Sequence, residues 1–201
     1  MTRVEIKTRA KAQLGNNIFG KAWLMALLCC FIVAVVSYVA GTIVPSLGAI
    51  VITGPLTYAL SYIFLKQSRD GQPINLEDLL SGFKHDFGQN LLIGLLSSIF
   101  VTLWSLLLVV PGIVKAYSYS MAYFVKIDHP DYDWRACLTE SRRIMNGKKM
   151  ELFIQDLSFL GWIFVGSLVC GVGGLWVTPY MNVSRAIFYE NIKDSDATVG
   201  F

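Results

Sequence analysis

Apolar residues run without a charge from Ala22 to Leu65, and the turn residues Pro45, Ser46, Leu47 and Gly48 fall near the middle of the run. A membrane-spanning helix takes about 20 apolar residues, so this tract reads as two spans joined by a tight turn. A second tract, Leu91 to Val125, contains Lys115 as its one charge and is interrupted at Pro111-Gly112. A third, Leu152 to Ser184, contains Asp156 as its one charge and is interrupted at Gly171, Gly173 and Gly174. Each is too long for one span and carries turn residues in its interior. The pattern predicts an all-α, polytopic membrane helix bundle of three helical hairpins. Its six transmembrane helices run over 22–44, 47–65, 91–110, 113–127, 153–170 and 175–192, inside one membrane domain 1–193 with a tail 194–201.

A four-helix alternative, in which the second and third tracts cross once each, is separated from this by the charges. The basic residues group before residue 22, within 66–90, within 115–151 and at Arg185 and Lys193. Four helices would turn the most basic of these segments, 115–151, outward, against the bias that keeps Lys and Arg in cytoplasmic loops. Three hairpins put every charged segment inside and leave the outer turns uncharged, so both termini are expected in the cytoplasm. A faint repeat agrees: Pro55 precedes Phe64 by the same spacing that separates Pro179 from Phe188, and the middle hairpin has Phe124 but Lys115 where proline would fall. Such weak symmetry is usual in membrane proteins built from repeats.

The segments between hairpins read as short amphipathic cytoplasmic connector helices. Thr2 and Glu5 form a capping box, and Ile6, Ala10 and Leu14 lie on one face with Lys7 and Lys11 on another, the pattern of a helix on a membrane surface. The run from Ala22 is too long for a signal-peptide core. Asn75 is placed to cap a helix with Leu76, Leu79, Leu80 and Phe83, and Asp133 one with Trp134, Cys137, Leu138, Ile144 and Met145. Composition is consistent with a membrane protein: 54% of residues are hydrophobic and 15% charged, with a net charge of +3. The four cysteines, Cys29, Cys30, Cys137 and Cys170, show neither metal-ligand nor disulfide spacing.

Four stretches resemble a bacterial membrane family catalogued as domain of unknown function 975. They are Leu108-Val-Val-Pro-Gly-Ile-Val-Lys-Ala-Tyr-Ser-Tyr-Ser-Met-Ala-Tyr123, Ser141-Arg-Arg-Ile-Met-Asn-Gly-Lys148, Leu157-Ser-Phe-Leu-Gly-Trp162 and Trp176-Val-Thr-Pro-Tyr180. The chain is also distantly similar to the membrane domain attached to some glycerophosphodiester phosphodiesterases, without their catalytic domain. The resemblance implies a multi-pass protein of the bacterial plasma membrane and carries no activity with it.

The residues themselves point away from an enzyme. A zinc protease needs His-Glu-x-x-His on one helix face, whereas His85 and His129 lie far apart in connectors. Ser167 has no histidine in any apolar tract to act as its base, and Asp156 has no second carboxylate for aspartyl chemistry. No catalytic residue, metal ligand or cofactor site is therefore assigned, and nothing suggests nucleic acid.

Three groups of residues are candidates for a role. Asp156 and Arg185 lie at similar depth, roughly 7 to 11 Å from the charged inner ends of the two helices of one hairpin. They read either as an ion or proton relay or as a structural pair or separately snorkelling side chains. Lys115, placed near the outer end of its helix, with Tyr117, Tyr119 and Tyr123 is a candidate polar cavity for an anionic headgroup or peptide. The plainer reading is an aromatic belt with an outward lysine. Arg142, Arg143, Lys148 and Lys149 are candidate contacts to anionic lipid, or simply the cytoplasmic bias. Small-residue pairs such as Gly94 and Ser98 allow close helix approach, within the bundle or in a homo-oligomer. The expected function is non-catalytic binding of a peptide, a lipid or partner membrane helices, as in an immunity, stress or assembly factor. The alternative is a small transporter or channel component acting as an oligomer.

Overall fold

The computed structural model describes residues 3–14, 20–43, 47–71, 74–168 and 173–199, and all regular structure among them is helical. In order, the helices are α1 (Arg3–Gln13), α2 (Lys21–Ile43), α3 (Leu47–Asp70), a 3-10 turn (Leu76–Leu80), α4 (Ser81–Lys84), α5 (Phe87–Leu107), α6 (Val109–Tyr119), α7 (Ala122–Asp128), α8 (Trp134–Ile144), α9 (Lys149–Leu168) and α10 (Gly173–Val199). The predicted turn at Pro45-Ser46 and the break at Gly171 lie outside the described residues, as does Thr2 of the capping box.

Helices α3 and α10, the proline-bearing members of the repeat, pack against each other at the centre. Helices α1 and α2 cover both of them, α5 and α7 lie against α3, and α9 lies against α10. The repeated phenylalanines mark this centre: Phe64 and Phe188 are 1% exposed, and Phe124 on α7 is 6% exposed. The ring of Phe124 stacks on Tyr189 of α10 with centroids 5.2 Å apart. Helices α3 and α5 approach closely because both are glycine at the crossing. A Cβ on Gly94 would lie 3.1 Å from the Cα of Gly54, and one on Gly54 would lie 2.8 Å from the backbone oxygen of Asn90.

Two helices, α2 over Lys21–Val39 and α5 over Phe87–Leu107, are long and apolar enough to cross a membrane. Their apolar windows are only 22% and 11% buried. Phe31, Val35, Val39, Ile99 and Leu103 all present large apolar surface outward.

Besides starting α5 and α9 four residues early, at Phe87 and Lys149, the helix boundaries differ from the pattern in three places that have a local cause. The second hairpin turns at Leu108, which is extended at φ −158°, ψ 136°, and not at Pro111-Gly112. Pro111 is the third residue of α6, where the backbone N–H has no intrahelical acceptor and its absence costs nothing. The helix expected over 113–127 is two helices, broken at Ser120 and Met121. There the Ser120 hydroxyl donates to the Tyr117 carbonyl at 2.8 Å and the Met121 amide donates to Ser141 Oγ at 3.3 Å. Side-chain partners thus replace the helical ladder. Finally, α3 and α10 run beyond residues 65 and 192, where Lys66 and Arg69 of α3 and Lys193 of α10 make ion pairs.

Connector caps divide. Asp133 caps α8 by accepting from the Ala136 amide at 2.7 Å, whereas Asn75 makes no side-chain cap and the segment after it winds as a 3-10 turn. The apolar face of α1 docks on protein rather than lying on a lipid surface: Ile6, Ala10 and Leu14 are at most 2% exposed in the core with α3 and α10.

Candidate functional site

Asp156 rises from the first two turns of α9 and Arg185 from the middle of α10. Arg185 Nη2 donates to Asp156 Oδ2 at 2.7 Å, and the Tyr117 hydroxyl of α6 donates to the same oxygen at 3.1 Å. One carboxylate thus holds three helices together. It is 7% exposed, while the Arg185 side chain keeps 37% of its surface open. On the same helical turns lie two wholly buried polar side chains, Gln155 and Ser184. Both amide atoms of Gln155, the hydroxyl of Ser184, Asp156 Oδ1 and Arg185 Nε have no hydrogen-bond partner among the described residues. A buried polar atom left without a partner costs about 1–3 kcal/mol, so this cluster has bonding capacity that the other described residues do not use.

The tyrosines do not form the predicted cavity. Lys115, Tyr119 and Tyr123 follow one another at four-residue spacing and turn toward α5. There Lys115 Nζ sits 5.0 Å from the Trp104 ring, Tyr119 lies 6.1 Å from Phe100, and the Tyr123 hydroxyl abuts Gly94. Tyr117, two residues from Lys115, points the other way, to Asp156 and edge-on to Phe153 at 5.8 Å.

The basic cluster divides into paired and unpaired members. Arg143 grips Glu140 with two hydrogen bonds of 2.9 and 2.7 Å, which hold the Glu140 carboxyl below its usual range. Lys148 pairs with Glu151 at 3.2 Å. Arg142 and Lys149 have no acidic partner among the described residues.

Sequence reasoning missed a larger cluster at the ends of the repeat helices. Asp128, at the end of α7, pairs with Arg69 of α3 at 2.7 Å and Lys193 of α10 at 2.6 Å, and accepts from the Tyr189 hydroxyl at 2.8 Å. Arg69 also donates to Glu190 at 2.6 Å. The Asp128 side chain is 5% exposed. Burial pushes its acidity down, but the hydrogen bonds from Lys193, Arg69 and Tyr189 outweigh that and hold the carboxyl below its ordinary value. The signal was in the repeat: counted from Phe64, Phe124 and Phe188, Arg69 and Lys193 occupy the same register, one residue beyond that of Asp128.

A cleft of about 380 Å³ opens beside this junction, between Tyr58 and Tyr62 of α3 and the segment Lys84-His85-Asp86. Its floor is Lys126, 3% exposed, whose ammonium is saturated by Asp86 at 2.9 Å and the carbonyls of Pro130 and Tyr132. That hydrogen bond keeps Asp86 more acidic than usual. Cys137 is wholly buried and its thiol is pushed up to about 11 by burial, so it is a packing residue and not a nucleophile. Among the described residues no three metal-ligating side chains converge.

The family described as "Protein of unknown function (DUF975)" matches residues 1–118 and 106–196. No curated protein and no solved structure matches the chain.

Proposed function

The chain belongs to the DUF975 family of proteins of unknown function, and from that footing we propose that it is a six-span protein of the bacterial plasma membrane, with both termini in the cytoplasm, that binds a membrane-borne partner without catalysis. The observation that carries this is the outward face of the two most apolar helices. A core helix of a water-soluble protein buries its apolar side chains, but the windows of α2 and α5 are 22% and 11% buried. Apolar area on that scale left in water would drive aggregation; in lipid it is at home. Paired in chain order, α2 with α3, α5 with the broken helix α6 and α7, and α9 with α10 give the three hairpins. The short α6 exposes the apolar residues Val109, Val110, Ile113 and Val114 and offers a face for a partner lipid, peptide or helix.

Alkaline carbonate extraction of membranes tests the placement: the chain is expected to stay with the bilayer, and release into the supernatant would overturn the reading. A second reading, a small transporter or channel component acting as an oligomer, is favoured by one observation, the polar atoms of Gln155, Asp156, Ser184 and Arg185 that find no partner among the described residues. Intramembrane ionisable groups with spare bonding capacity mark pathways in other proteins. Ion or proton flux in proteoliposomes, abolished by Asp156→Asn, would establish that reading; tight vesicles would leave the binding role.

A further inference from the structure

We infer that the cleft between α3 and the segment Lys84-His85-Asp86 binds the phosphate group of an anionic ligand. The site lies apart from the α6 face and goes beyond the partner proposed for that face.

The walls of the cleft are fixed by packing. Tyr58 and Tyr62, four residues apart on α3, form one side. The opposite side is pinned to the same helix: Gly82 lies so close to the backbone of Pro55 that no Cβ fits between them. Asn90, wholly buried, donates through Nδ2 to the carbonyls of Gly82 at 3.2 Å and His85 at 2.7 Å. Pro55 precedes Tyr58 by about one helical turn, and Lys84 and His85, just past Gly82, line the cleft with the tyrosines.

The chemistry of this lining is one-sided. Its strong acceptors are in use, since the Asp86 carboxylate and the Pro130 carbonyl both bond to Lys126, at 2.9 and 2.7 Å. Its donors are not. Tyr58 is 6% exposed, yet its hydroxyl has no hydrogen-bond partner among the described residues, and neither has that of Tyr62. A phenol so enclosed is ordinarily bonded. Lys84 and His85 have no acidic partner among the described residues. Asp86 also precedes α5 and makes no side-chain cap to it, so the positive end of that 21-residue helix borders the cleft. Lys84 and Lys126 against Asp86 leave the lining net positive. A ligand that supplies acceptors and negative charge together is an oxyanion, and a tetrahedral phosphate can accept from both walls at once. The volume of about 380 Å³ has room for a phosphate ester. Phe83 and Phe87, stacked with centroids 5.9 Å apart and both 40% exposed, flank Lys84-His85-Asp86. A hydrocarbon chain on the phosphate would find an apolar surface there, so the ester is either a soluble metabolite or a lipid.

The test uses the full chain in an uncharged detergent at constant ionic strength, with affinity read from the concentration dependence of the melting temperature. The probes are methyl phosphate, dodecyl phosphate and, as a zwitterionic chain control, dodecylphosphocholine. Saturable stabilisation by methyl phosphate would assign a soluble ligand; stabilisation by dodecyl phosphate alone would assign a lipid. In either case Tyr58→Phe, which removes one hydrogen bond to a charged group, is expected to weaken binding about tenfold. Lys84→Gln should do about the same; Lys84 is exposed, so this variant keeps the test open should Tyr58→Phe fail to fold. Lys11→Gln, which removes an exposed cation of α1 that does not line the cleft, should bind as wild type does. No saturable stabilisation by either phosphate beyond that from dodecylphosphocholine would overturn the site, as would an equal loss in Lys11→Gln. Carbonate extraction reads the membrane placement and this titration reads the cleft, so either can fail without the other.

Discussion

At the scale of single residues, the most consequential group is Asp128. It bonds to α3 through Arg69 and to α10 through Lys193 and Tyr189 while standing on α7, so its loss loosens three helices at once. Arg69 and Lys193 keep 33% and 45% of their surface open, and solvent screening reduces what each pair contributes. Asp128→Asn is therefore expected to cost about 1–3 kcal/mol, seen as a lower melting temperature of the solubilised protein. The pH dependence has a definite sign. The folded state holds this carboxyl below its ordinary value, so its contribution is full above the unfolded value of about 4 and is lost as pH falls through the folded one. The gap in melting temperature between wild type and Asp128→Asn should accordingly be wide at neutral pH and close in acid. A gap that persists in acid would assign the effect to packing.

Asp156 and Arg185 give the complementary case. The carboxylate is nearly enclosed, so Arg185→Gln leaves a buried charge without its partner, whereas replacing both together removes the charge altogether. Expression of the double variant Asp156→Asn/Arg185→Gln is expected to exceed that of Arg185→Gln alone; strictly additive losses would mean that the pair is not coupled. Their meeting was legible in the chain, because two charges at similar depth on the arms of one hairpin have few other partners. The Asp128 junction was not. Three charges far apart in sequence come together only through packing of the second helix of each hairpin, and the repeat that aligns them is faint without the coordinates.

At the scale of elements, hydrophobic runs located the long helices and failed where a helix ends on chemistry finer than hydropathy. Proline is a strong turn signal, yet at Pro111 it marks the first turn of α6, and the break lies three residues earlier at Leu108. Since the Pro111 nitrogen has no intrahelical acceptor to serve, Pro111→Ala should change stability by no more than about 1 kcal/mol. A larger loss would mean that the proline shapes the turn itself. The amphipathic pattern of α1 was equally legible, but a periodic apolar face does not say whether lipid or protein covers it. Ile6 is 2% exposed against α3 and α10, so Ile6→Ala should cost about 2 kcal/mol or more. A helix merely resting on lipid would leave the melting temperature of the bundle unchanged. Where α3 meets α5, Gly54→Ala should cost about 1–3 kcal/mol, because the new methyl would press on the Asn90 backbone, which cannot move aside as a side chain can.

At the scale of the whole molecule, the account stands on three hairpins crossing a bilayer. The most direct test is labelling of single cysteines by a membrane-impermeant thiol reagent on intact cells, in a chain whose Cys29, Cys30, Cys137 and Cys170 are replaced. Leu108 is the reporter of the middle turn, since it is extended between α5 and α6 and its side chain is exposed. Cysteines at Ser46, Leu108 and Gly174 are expected to label from outside, and one at the exposed Asn146 to label only after the cells are opened. Outside labelling of Asn146, with protection at Leu108, would contradict the account: the chain would then cross four times and the segment 115–151 would face outward.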